Sequence, residues 1–149
     1  MSELKLRKLG RTGIKVFPLG FGGIPIQRLS DEKAVQVVKK AIGEGINFID
    51  TARAYSDSEN KIGMALKDID QKVYLATKTP APDKEGALKD VELSLKKLGV
   101  NKIDVYQLHG VNDKENLEEI LQEDGALAGL KEAQKAGKIE HIGITGHNN

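Results

Sequence analysis

Asp50, Tyr55, Lys78 and His109 supply a carboxylate, a phenol, an ammonium and an imidazole. A free tyrosine has a pKa of about 10 and is a poor acid at neutral pH. A lysine cation beside it stabilises the tyrosinate and makes the phenol a better proton donor. Asp50 can keep that lysine charged and in place, and His109 can hydrogen-bond a substrate oxygen. Such a set suits a general acid that protonates a carbonyl oxygen while hydride reaches the carbonyl carbon.

Taken singly, each residue has a plainer reading. An aspartate at the end of a strand often caps a loop or the next helix. A lone lysine is more often a rim residue, a tyrosine can cover the edge of a core, and a histidine is more often structural. His141, inside the last apolar run, is read that way. The functional reading gains weight because compatible types fall at corresponding positions of successive units. A metal site is a weak competitor. Asp50, His109 and His147 could supply ligands, but Lys78 between them would set a cation against the ion.

The elements that must position these groups are legible as a repeat. Short apolar runs, VFPLGFG, INFID, VYLATK, IDVYQLH and IEHIGIT, recur about every 30 residues. Each is rich in Ile, Val, Phe or Tyr, as strands buried on both faces are. Asp50, Lys78, His109 and Thr145 end the last four runs, and Gly22-Gly23 end the first. In a parallel α/β protein these ends share one face, where function sits.

The segments between read as helices. Ser30 can cap the first, with Asp31 and Glu32 in its first turn and Ala34, Val35, Val38, Ala41 and Ile42 as its stripe. Asp57 or Ser58 starts the second, with Ile62, Ala65 and Leu66 inward. Asp83 starts the third, with Leu88, Val91, Leu95 and Leu98 inward and Gly99 as its stop. The fourth runs from about Glu115 to Ala136, with Asp124-Gly125 as its candidate break. Such β-α units give parallel strands through right-handed crossovers. Ahead of them, LKLRKL-GRTG-IKVF reads as a hairpin that could plug the N-terminal end of a barrel.

The chain has 149 residues, read as a single domain over 1–149 with no linker or low-complexity tract. A closed (β/α)8 barrel takes about 250 residues. An open five-stranded sheet would fit, and periodicity alone leaves both open. The formal charge of +1 gives no general pull toward nucleic acid or anionic membrane. No apolar run approaches the ~18 residues of a membrane span. The N-terminus lacks the apolar core of a signal peptide, so a cytoplasmic protein is expected. With no cysteine, the chain has no disulfide, thiolate metal site or thiol nucleophile.

RKLGRTGIKVFPLGFGG, FIDTARAY, YLATKT, DVYQLHG and IEHIGITGHN, in this order and spacing, resemble the aldo/keto reductase family along essentially the whole chain. The resemblance implies a (β/α)8 barrel of TIM type, here about its first five β/α units behind an N-terminal hairpin. It implies reduction of a small aldehyde or ketone by NADPH, less often NADH. Tyr55 then corresponds to the general acid, Lys78 and Asp50 to the residues that tune it, and His109 to the one that orients the carbonyl. Gly22, Gly23 and Ile24 match the loop beside the nicotinamide, with Asp50 next to it.

Many members hold the nicotinamide carboxamide with a Ser-Asn pair after the fifth strand. Thr145 and Gly146 stand there in this chain, with Asn148 as a substitute amide. The family's phosphate- and adenine-binding elements lie in later units that these residues do not include. GFGGIPIQRL and LHGVN are similar to a branch that adds a cysteine-rich iron–sulfur region, which a chain without cysteine does not itself carry. Two function classes follow: an NADPH-dependent carbonyl reductase, with weak or absent turnover expected from these residues alone because the elements that grip the cofactor lie in later units, and a non-catalytic or assembly subunit that needs a partner to complete the barrel. A partial barrel would leave two strand edges open and favour self-association.

Overall fold

The computed structural model describes residues 5–148. They form an N-terminal hairpin and a parallel α/β sheet. In the hairpin, β1 (Arg7–Lys8) pairs antiparallel with β2 (Lys15–Val16) around a 3-10 turn at Gly10–Thr12. The Thr12 hydroxyl closes this turn on the Leu9 carbonyl at 2.6 Å. Asn47, just before a sheet strand, ties the hairpin down. It accepts from Phe17 N at 2.7 Å and donates to the Lys15 carbonyl at 3.0 Å. The hairpin therefore docks at the N-terminal ends of the strands.

The sheet strands are β3 (Phe21–Gly22), β4 (Phe48–Asp50), β5 (Tyr74–Thr79), β6 (Ile103–Leu108) and β7 (Ile139–Ile144). They pair in chain order and all in parallel. The helices between them are α1 (Asp31–Gly43), α2 (Ser58–Leu66), α3 (Lys84–Leu98), α4 (Lys114–Ile120) and α5 (Ala126–Lys135). The first apolar run yields a shorter strand than its composition suggests. Pro18 has no N–H to give a ladder, so Val16 falls to the hairpin and pairing in the sheet begins at Phe21.

Helix starts follow the expected capping chemistry. The Asp83 carboxylate accepts from Gly86 N at 2.8 Å, and the Ser30 hydroxyl accepts from Lys33 N at 3.4 Å. Asp57 precedes α2 but makes no capping bond; it pairs instead with Lys61 at 2.7 Å. Gly99 ends α3 in the left-handed conformation that costs glycine little. The expected fourth helix is two helices. Between them, Asp124 O accepts from Lys84 N at 2.7 Å, and Ala126 N donates to Pro82 O at 2.8 Å. The break is thus fastened to the start of α3.

Ala34, Val38 and Ile42 of α1, Ile62 and Ala65 of α2, Val91 and Leu98 of α3 and Leu130 of α5 are buried with Ile49, Leu75 and Tyr106 of the strands. This one core fixes the helical layer on the sheet and leaves the C-terminal strand ends as a rim. No helix among the described residues is long and apolar enough to cross a membrane.

Candidate active site

β4 ends on Asp50, and the side chain that meets it comes from the neighbouring strand. Lys78 Nζ donates to Asp50 Oδ2 at 2.6 Å and to the Thr51 carbonyl at 2.7 Å. Lys78 is buried, and an ammonium out of water requires such partners. The other carboxylate oxygen of Asp50 accepts from Gln107 Nε2 at 3.3 Å. Gln107 lies opposite Lys78 in the β5–β6 register. Gln107 belongs to no motif that marks it as a site residue. The period of two along a strand puts it on the same face as His109, and that was the available signal.

Tyr55 reaches this pair because the chain turns sharply after β4. Tyr55 N donates to Ala52 O at 3.0 Å, and Ser58 N donates to Tyr55 O at 2.8 Å. Ser56 follows at φ 40°, a region that residues other than glycine seldom occupy. Its hydroxyl donates to Gln27 Oε1 at 3.1 Å, which ties the turn to the loop after β3. The Tyr55 ring then lies over the rim, its centroid 5.1 Å from Lys78 Nζ. A cation at that distance is attracted by the face of the ring.

His109 comes directly after β6, and its N–H donates to Thr79 O at 2.9 Å. Its ring meets that of Tyr55 edge-on, with centroids 5.7 Å apart and planes at 82°. Burial, and then the Lys78 cation, hold its pKa below the ordinary value; Asp50 pulls the other way. The imidazole is therefore neutral at neutral pH, with one N–H to donate.

The loop after β3 lies on the same rim. Gly22 sits opposite Asp50 in register, and Gly23 N donates to Asp50 O at 2.8 Å. Gly23 allows a close approach: a Cβ there would come within 2.5 Å of Ser58 Oγ and 3.0 Å of Thr51 Oγ1. Ser58 accepts from Thr51 and donates to the Gly23 carbonyl, both at 2.9 Å. A Cβ on Gly22 would meet open space, and Ile24 projects into solvent.

Thr145 closes the opposite side. Its hydroxyl accepts from Gly110 N at 3.2 Å, and its carbonyl accepts from Val111 N at 2.8 Å. The residue after it runs against the Val111 carbonyl, which a Cβ would strike, so glycine and not asparagine fits at 146. Asn148 lies exposed farther along the chain. The structure thus brings Asp50, Tyr55, Lys78 and His109 into one cluster, sets Gly22, Gly23 and Ile24 beside it, links Thr145 to the His109 loop, and leaves Asn148 exposed.

The chain as a whole is similar to known proteins. A holo-form aldo-keto reductase from Bacillus halodurans superposes with a TM-score of 0.82 at 29% identity, over 97% of this chain and 51% of that one. The L-galactose dehydrogenase of Arabidopsis thaliana is 31% identical over 98% of this chain and 50% of its own length. The aldo-keto reductase YhdN of Bacillus subtilis is 32% identical, over 95% of this chain and 47% of its own length. The chain thus spans about half the length of the curated relatives it matches. These likenesses accompany a parallel α/β sheet of TIM-barrel type. The sequence model of the aldo/keto reductase family matches residues 18–149, and the chain belongs to that family.

Proposed function

We propose that this chain carries the catalytic rim of a carbonyl reductase that uses NADPH, or less often NADH, on a small aldehyde or ketone. The observation that carries the reading is the double placement of Lys78. Its ammonium is bonded to Asp50 at 2.6 Å and lies 5.1 Å from the centre of the Tyr55 ring. A positive charge held there favours the tyrosinate left when Tyr55 gives up its proton. Asp50 keeps that charge in place. His109 donates a hydrogen bond to the carbonyl oxygen and orients it, and Tyr55 delivers the proton to the same atom.

The residues on the rim fit the nicotinamide end of such a cofactor. Gly22 offers bare backbone with open space above it, and Ile24 an exposed apolar side chain, both next to Asp50. Thr145 offers a hydroxyl from the other side. Asn148, exposed three residues beyond Thr145, is the candidate for the amide. When bound, the cofactor supplies hydride to the carbonyl carbon.

Residues 1–149 act in this reading as one domain, the N-terminal portion of a reductase barrel in the cytoplasm. Titration of the chain with NADPH tests it, followed by quenching of tyrosine emission or by calorimetry. Micromolar binding that weakens when Asp50 is replaced by Asn supports it. No binding at millimolar cofactor overturns it for the chain on its own.

A second reading rests on the sheet edges. β3 and β7 each pair on one side only among the described residues, and Ile144 on β7 is 54% exposed. An open edge beside apolar surface recruits another strand. In this reading the chain is an assembly subunit that works once a second copy or a partner covers those edges. A stable monomer in sedimentation equilibrium would count against association with a second copy.

A further inference from the structure

Behind the sheet lies a charged cluster that the proposed chemistry does not use. Glu59, in the first turn of α2, is 1% exposed. Its Oε1 accepts from Thr77 Oγ1 at 2.8 Å and from Ser94 Oγ at 2.7 Å, and its Oε2 accepts from Arg53 Nη1. Arg53 also donates from Nε to Asp90 Oδ1 at 3.3 Å. Asp90 Oδ2 in turn accepts from Thr79 Oγ1 at 2.6 Å. With the Ser94 proton given to Glu59, the Tyr106 hydroxyl donates to Ser94 across 3.0 Å.

A gain in stability is a weak account of such a cluster. Buried ion pairs can often be replaced by packed apolar residues at no loss, because desolvation offsets their attraction. Their best-attested use is to fix register. The placement here suits that use. Thr77 and Thr79 flank Lys78 on β5, and alternation sends their side chains to the face opposite the Lys78 ammonium. Holding both hydroxyls sets where Lys78 points. Arg53 lies in the turn that carries Tyr55, and its own N–H donates to Lys78 O at 3.0 Å.

We infer that Arg53 is a positioning residue: by bridging Glu59 and Asp90 it locks the Tyr55 turn to the strand of Lys78, and so sets the phenol against the ammonium. Burial alone would lower the pKa of its guanidinium, but the bonds to Glu59 and Asp90 more than offset this and keep it charged. The inference rests on the Tyr55–Lys78 pairing of the proposed function and adds the device that holds it.

Fluorine NMR of the whole chain labelled with fluorotyrosine tests this without relying on turnover. Its tyrosines are Tyr55, Tyr74 and Tyr106, assigned by single Tyr→Phe changes. Lys78→Met gives the direction in which the Tyr55 resonance moves when the ammonium is lost. Arg53→Lys keeps the charge but not the two-armed bridge, and Asp90→Asn weakens the same arm at a partly exposed position.

The expected result is a smaller shift of the Tyr55 resonance in the same direction in both variants, with Tyr74 unmoved. A Tyr55 resonance that stays in place while Tyr106 moves or the melting temperature falls makes the cluster structural only. That outcome overturns the inference and leaves the proposed function standing. A Tyr55 resonance indifferent to Lys78→Met removes the pairing itself and overturns both. Should Arg53→Lys fail to fold, Asp90→Asn decides.

Discussion

The Lys78 ammonium and the Asp50 carboxylate lie 2.6 Å apart but are unequally buried, with side chains 6% and 38% exposed. The two partners therefore contribute differently. Removing the carboxylate strands a buried cation on the Thr51 carbonyl. Removing the cation leaves a carboxylate that water and Gln107 can still solvate. Asp50→Asn is expected to cost about 1–3 kcal/mol, below the range for a fully buried pair because Asp50 is near the rim. Lys78→Met should cost less, within about 1 kcal/mol. Urea denaturation of both variants checks the order, and a larger loss for Lys78→Met would contradict it.

Much of this site was legible from the chain because parallel strands deliver their ends to one face. Asp50, Lys78 and His109 could be placed together from the spacing of apolar runs. Tyr55 followed because it lies in the loop after Asp50. Ser30, Asp83 and Gly99 marked helix ends by local chemistry, which tertiary context did not override. Other features depended on contacts that no local pattern encodes. The shortness of β3 came from the hairpin taking Val16. Arg53, Glu59 and Asp90 look like solvated charges in a sequence, and only the packing of α2 and α3 on β5 shows them buried or half-buried together. Gln107 was hidden for the same reason, since its partner is two strands away.

Tyr55→Phe removes one oxygen from a half-buried ring. The ring keeps its place over Lys78 and against His109, so stability should change by no more than about 0.5 kcal/mol. In the complete enzyme that the proposed function describes, carbonyl reduction should fall about 10²–10⁴-fold through the loss of the proton donor. Steady-state assays with NADPH and a panel of aldehydes and ketones, run beside thermal melts, separate the two effects. Retained turnover would assign the acid elsewhere.

His109 gives the protein a pH dependence of predictable sign. Its folded pKa is depressed below the unfolded value, by burial first and by Lys78 second. The unfolded chain therefore binds more protons at this site as the pH falls below about 6.5. Stability contributed by the neutral imidazole is present above that value and is lost on acidification toward the folded pKa. Asp57 and Glu140, whose pKa values are lowered by Lys61 and Lys102, titrate below their ordinary carboxylate range and so act at more acidic pH. Urea midpoints measured at about pH 7 and about pH 5 should fall less in His109→Gln than in the parent chain. An equal fall in both would mean that His109 does not govern this window.

Gly23→Ala probes the contact between the rim and α2. The new methyl group meets the Ser58 hydroxyl and the Thr51 side chain, which are bonded to each other. Ser58 also donates to the Gly23 carbonyl, so it cannot retreat without losing that bond. Overpacking of this kind costs about 1–3 kcal/mol. The strain should also displace Gly22 and Ile24, the residues proposed to lie along the nicotinamide, and NADPH affinity should drop more than stability alone explains. Gly43→Ala is the control, because it lies at the end of α1, outside the proposed cofactor rim, and its methyl group would enter open space. Calorimetric titration of the two variants should find that Gly23→Ala binds more weakly while remaining folded. Equal affinities would show that the close approach at Gly23 serves packing and not the cofactor.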